Sequence, residues 1–162
     1  MSDIEENQSP VPELKKATEQ DPESAGAWLA LGHAFLAELK FEEALPPFQK
    51  AVQLEPENAQ AHFGLAKAFD GLKRYDEMID AFQEASYLAP DWSESHYNLG
   101  LAYMLVGQYE DATDPLKKAV EVQPDFAEAH KVLGVIYSLL GDTGLAQKYS
   151  EEAARLNPLY KK

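Results

Sequence analysis

Cysteine is absent from the 162 residues, which excludes disulfides, thiolate nucleophiles, and cysteine-ligated zinc or iron–sulfur clusters. Positive charge is scarce: 14 Lys and Arg stand against 28 Asp and Glu, a formal net charge of −14. Sequence-independent grip on nucleic acid or anionic lipid needs a basic face, so neither is an expected partner. No apolar run approaches the ~18 residues of a membrane span. Met1, Ser2, Asp3, Ile4, Glu5 and Glu6 lack the basic-then-apolar order of a secretory signal, so a soluble cytoplasmic protein is the expectation. Gly-rich phosphate loops, nucleophile elbows and HExxH segments are also missing. What is present is a 45% hydrophobic fraction, enough to bury a core.

That core is written periodically. Four consecutive 34-residue blocks run 25–58, 59–92, 93–126 and 127–160, with 24 residues before them and two after. The seventh column is Leu31, Leu65, Leu99 and Leu133; the eighth is small, Gly32, Ala66, Gly100 and Gly134; the eleventh is Phe35, Phe69, Tyr103 and Tyr137. Later columns read Ala44, Met78, Ala112, Ala146, then Phe48, Phe82, Leu116, Ser150, then Ala51, Ala85, Ala119, Ala153. Each block closes on proline, Pro56, Pro90, Pro124 and Pro158. Apolar ridges at four-residue spacing beside a small-residue notch predict two packed helices per block with a break between them. One block cannot bury its own apolar face, so neighbours must stack.

The breaks carry Gly107 and Gly141 in blocks three and four, residues suited to a left-handed helix end. Blocks one and two have Leu39 and Lys73 there, which predicts another solution, with Gly71 taking the role in block two. Asp91 with Glu94, and Asp125 with Glu128, have capping-box spacing. Pro46, Pro47 and Pro115 fall about one turn into second helices, where a bend or a delayed start is expected.

At these columns the chain resembles the tetratricopeptide repeat family, whose W-x2-L-G-x2-Y…A-x3-F…A…P pattern is matched most fully by Trp28, Leu31, Gly32, Phe35, Ala44, Phe48, Ala51 and Pro56. The resemblance implies an all-α fold, a right-handed α-solenoid (superhelix) of antiparallel helix pairs with about nine helices, and first helices lining a concave groove. It implies no reaction. In the same frame Leu14, Ala17 and Pro22 match Phe48, Ala51 and Pro56, so residues 11–24 are expected to form a capping helix, from about Pro12 to Gln20, behind a disordered acidic tail over residues 1–10. Residues 127–162 form the fourth repeat. It turns polar at Thr143 and Ser150 and leaves Tyr149, Leu156, Leu159 and Tyr160 as a candidate oligomer edge where the family often adds a solvating helix.

Chemistry in the repeats has a plainer reading. His62, His96 and His130 recur in the column of Trp28, but equivalent residues of adjacent repeats stand ~8–10 Å apart, whereas zinc ligands lie ~2 Å from a shared ion. Packing is expected and no metal. Carboxylate pairs such as Asp76 with Asp80 and Asp111 with Asp114 fall on second helices, a solvated acidic face. No catalytic residue and no cofactor is expected; the chain is not an enzyme on this reading.

The family's geometry instead selects a groove for a peptide or helix of another protein. Its residues are Leu29, His33, Leu36, Phe63, Lys67, Asp70, Tyr97, Asn98, Leu101, Met104, Lys131 and Val135, with Glu94, Glu128 and Ser138 beside them. Such a bed suits an apolar segment with a basic flank, or a carboxylate for Lys67 and Lys131. The family's chaperone-tail clamp is not matched, since its positions read Leu29, His33, Gly64, Glu94 and Asn98, or Phe63, Lys67, Asn98, Glu128 and Val132. Nor is its asparagine ladder, whose column reads Ala30, Gly64, Asn98 and Val132. The alternative is self-assembly through the uncapped fourth repeat. Charge is uneven: residues 1–24 carry −5, the first three blocks −3, −3 and −4, and residues 127–162 +1, so the acidic end is expected to steer basic partners, and a head-to-tail contact of acidic front with back would be an open geometry unless its rotation closes.

Overall fold

A computed structural model of the chain describes residues 9–160. The acidic tail expected over residues 1–10 lies, for residues 1–8, outside the described residues. Among the described residues there are nine α-helices, one 3-10 turn and no strand: α1 (Val11–Gln20), α2 (Ala25–Ala37), α3 (Phe41–Leu54), α4 (Ala59–Gly71), α5 (Tyr75–Leu88), α6 (Ser93–Leu105), α7 (Tyr109–Val122), α8 (Ala127–Leu139), α9 (Thr143–Leu156) and the turn Pro158–Tyr160. Every first helix fills columns one to thirteen of its block and every second helix columns seventeen to thirty. The chain divides into two compact units, Met1–Met78 and Ile79–Lys162, with the division inside α5.

In the first unit the knob is Phe48. Its ring is fully buried, and a Cβ at Gly32 of α2 would stand 2.7 Å from it, one at Gly64 of α4 closer still. One aromatic ring therefore occupies two glycine notches and draws α2, α3 and α4 together. Val11, Leu31, Ala34, Phe35, Ala44 and Ala68 complete that core, with Leu14, Trp28, Leu29, Leu36, Leu45 and Leu65 packed on it. Helix α1 enters the core through Val11 and Leu14, and Lys15 Nζ lies 5.5 Å from the centre of the Phe35 ring. In the second unit Leu116 sits in the Gly100 notch, while Ala112, Leu133, Ile136 and Tyr137 form the core around it.

All four breaks within the blocks share one geometry. The N–H of Lys40, Arg74, Gln108 and Asp142 donates to the carbonyl of Phe35, Phe69, Tyr103 and Tyr137 respectively, each at 2.9 Å, closing the first helix. The residue before each donor is left-handed: Gly107 and Gly141 at φ 80° and 83°, Leu39 and Lys73 at 57° and 58°. The expectation for Gly71 is overturned, because it ends α4 in helical conformation and its missing Cβ makes room for the Phe41 ring. Leu39 and Lys73 accept the left-handed strain because the same closing bond is made in every block.

Two further expectations change. The N-cap positions are Ser24, Asn58, Trp92 and Phe126, the residue just before each block, so Asp91 and Asp125 lie one residue too early for a capping box. Ser24 Oγ accepts from the Ala27 N–H and Asn58 Oδ1 from Gln60 and Ala61 N–H; Trp92 and Phe126 give no side-chain cap. Nor do prolines delay a helix. α3 carries Pro46 and Pro47, and α7 carries Pro115, yet both begin in the same column as α5 and α9.

Gly64→Ala is expected to destabilise the protein by about 1–3 kcal/mol, the usual cost of overpacking. Phe48→Leu in the same chain should recover part of that loss in a urea double-mutant cycle, and additive effects would break the assignment. Leu39→Gly removes left-handed strain at an exposed residue and should raise the stability measured by urea unfolding by about 1 kcal/mol.

Candidate partner-binding site

The histidine column is a structural stitch. Trp28 Nε1 donates to the Pro22 carbonyl at 2.8 Å, and the Nε2 atoms of His62, His96 and His130 make the same contact to Pro56, Pro90 and Pro124 at 2.9, 3.0 and 2.9 Å. A carbonyl only accepts, so each imidazole carries its proton on Nε2. Each bond ties the first turn of a first helix to the proline three residues before that helix begins. Imidazole replaces indole at a cost: His130 Nδ1 is buried without a hydrogen-bond partner. Beside His130 lies a cleft of about 570 Å³ reached by Tyr149, Lys148 and Arg155. Among the described residues, no group of three or more His, Asp or Glu side chains is placed to hold a metal.

The first-helix residues named from the sequence fall into two sets, one per unit. In the first unit Leu29 and Leu36 are half-buried against the core, Phe63 and Lys67 are half-buried, and Asp70 is exposed. His33 is exposed on one side and packs edge-on against Phe48, with ring centres 5.1 Å apart. That burial pushes its pKa below the ordinary histidine value.

In the second unit α6 and α8 bring Tyr97, Met104, Lys131 and Val135 around one cleft of about 180 Å³, together with Glu128, Val132 and Tyr160. Leu101 is half-buried on α6. Asn98 is turned to its own helix, its Nδ2 donating to the Glu94 carbonyl at 2.8 Å. Burial, with Glu128 and Tyr160 nearby, pushes the Tyr97 phenol pKa up.

Tyr160 stands on this face. Its hydroxyl donates to Glu128 Oε1 at 3.1 Å, and Lys131 Nζ lies 4.4 Å from its ring centre. Tyr149, named with it as an edge residue, instead stacks on Tyr137 at 5.6 Å with the planes 3° apart. Leu156 is half-buried and Leu159 is exposed.

Sequence reasoning missed Phe126, whose ring lies on Tyr97 with centres 4.7 Å apart. The signal was in the period. The last column reads Asn58, Trp92, Phe126 and Tyr160, and within the second unit it covers the fifth: Phe126 lies on Tyr97, Tyr160 on Lys131.

Paired helices repeated at a 34-residue period, closed by one turn geometry and stitched at one column, define a tetratricopeptide-type α-solenoid. Tetratricopeptide repeat profiles match residues 11–53 and 29–91, 93–126, and 127–158, and the chain belongs to that family. Among solved structures it is similar to MamA, at 26% identity and a TM-score of 0.86, over 92% of this chain and 87% of that one. YrrB, described as a tetratricopeptide protein with an unusual peptide-binding site, aligns at 22% identity and a TM-score of 0.79, over 91% of this chain and 76% of that one. A thermophilic tetratricopeptide protein of Thermus thermophilus, TTC0263, aligns at 21% identity and a TM-score of 0.70, over 91% and 81%. No curated protein matches the chain in sequence.

His130→Trp is expected to keep the bond to Pro124 and fill part of the adjoining cleft. His130→Phe loses the donor, so its urea-derived stability should lie about 1 kcal/mol below that of the Trp variant. Equal stabilities would remove the stitch as an energetic contact.

Proposed function

We propose that the protein is a non-catalytic scaffold that holds a peptide or helical segment of a partner protein against its first-helix faces. The supporting observation is the cleft of the second unit, where apolar Tyr97, Met104, Val132 and Val135 are rimmed by one acid, Glu128, and one base, Lys131. Its residues project from helices whose opposite sides are packed in the core, so ordering on binding falls mainly on the ligand. An apolar side chain of the partner would enter the cleft, while a basic flank meets Glu128 or a carboxylate meets Lys131.

The family is one of protein-interaction repeats, generally without catalysis, and no helix among the described residues is long and apolar enough to cross a membrane. YrrB's peptide site belongs to YrrB, and at 22% identity the relation is one of fold. The present reading rests on this chain's own cleft.

Affinity capture from the source cell with wild type beside the Phe63→Ala, Tyr97→Ala double variant tests it. The variant should keep its helix content and lose its captured partner. An unchanged set of captured proteins would refute the first-helix faces as the binding surface.

A further inference from the structure

The second unit presents apolar side chains to water in its cleft and at residues adjoining the cleft lining. Val135, 47% exposed, lines the cleft, and Leu139, 56% exposed, stands one turn further along α8. Leu159 is 88% exposed and immediately precedes Tyr160, which forms the cleft rim. An apolar knob therefore sits beside an apolar hole. The ring that could have filled the hole is pinned at its edge, by the hydroxyl at Glu128 and by the Lys131 ammonium.

We propose that this face pairs with a second copy of the chain about a two-fold axis, Leu159 of each copy entering the cleft of the other. Adjacent knob and hole are what a self-complementary interface requires, because each copy must offer both halves of the contact. A cleft of about 180 Å³ admits one leucine side chain. Stripes such as Val135 with Leu139 then meet their own counterparts, removing an apolar surface that water otherwise covers.

Charge selects the same end. Two copies carrying −14 each repel, and the repulsion is smallest where the density of negative charge is least. That place is the fourth block, where Glu128, Asp142, Glu151 and Glu152 stand against Lys131, Lys148 and Arg155, a charge of −1, against −3, −3 and −4 for the first three blocks. The cleft rim there carries both signs, Glu128 and Lys131, so its own copy is an acceptable neighbour. A small apolar contact of this kind gives a weak dimer, with a dissociation constant of ~10–100 µM.

The inference rests on the proposed function only in taking the first-helix face as an interaction surface, and the second copy competes with the partner's apolar side chain for the one cleft. Sedimentation velocity on the full chain over ~1–500 µM should show a monomer–dimer equilibrium. Leu159→Asp, at a side chain too exposed to matter for folding, should weaken it at least ~30-fold, as loss of a central contact does. Val135→Asp should act alike, with the circular dichroism spectrum unchanged. A strictly monomeric wild type, dimers indifferent to both substitutions, or species growing beyond the dimer would each overturn the two-fold contact. The two readings fail separately: Leu159→Asp should keep the partner that the Phe63 and Tyr97 substitutions lose.

Discussion

One ring in two notches sets the geometry of the first unit. Phe48 leaves no space for a Cβ at Gly32 or Gly64, so α2 and α4 are held at the distance that ring dictates. The same contact recurs with smaller knobs in the second unit. Leu116 fills the Gly100 notch, and at Gly134 a Cβ would lie 2.5 Å from Ser150 Oγ. The eighth-column glycines face the second helices of their own blocks, and in the second unit Tyr97, Lys131, Val135 and Met104, from columns five, nine and twelve, line the cleft. Packing at one side of each first helix thus determines which side chains are offered on the other.

The residue just before each block shows how a repeat changes use without changing fold. At Ser24 and Asn58 it caps the next helix through a side-chain oxygen. An N-cap of that kind is worth about 1 kcal/mol. At Phe126 the cap is absent and a ring lies on Tyr97 instead, so apolar contact replaces the lost hydrogen bond. Aromatic pairs at this separation contribute about 0.5–1.5 kcal/mol beyond their burial, enough to offset the cap. The exchange sets a ring against Tyr97, which itself lines the cleft.

Much of the fold was legible because the 34-residue period repeats side-chain volume: knob, notch and small columns predict two helices in every block, and each block has two. The turns at Leu39 and Lys73 were not legible from propensity. Neither residue favours the left-handed region, and only the shared closing bond to Phe35 and Phe69 holds them there. Capping boxes misled because the acid, the strongest local signal, sits one residue before an aromatic N-cap. The family's column pattern named Tyr97, Met104, Lys131 and Val135, which the cleft brings together. It assigned Tyr160 to an oligomer edge and missed its place over Lys131, which shows only when its column is aligned with Phe126.

That alignment explains the chemistry of the cleft. In the third block the fifth-column residue is Tyr97 and its cover is a second ring; in the fourth it is Lys131 and its cover is again a ring. A ring meets a cation as readily as another ring, because its negative face attracts the ammonium. Substituting lysine therefore keeps the contact while adding a charge to a face that Glu128 would otherwise leave purely acidic. The phenol hydroxyl then binds Glu128, so acid, base and ring form one linked rim around an apolar floor. In a chain of net charge −14 such a rim lets an apolar contact form without first overcoming the repulsion that the rest of the molecule presents.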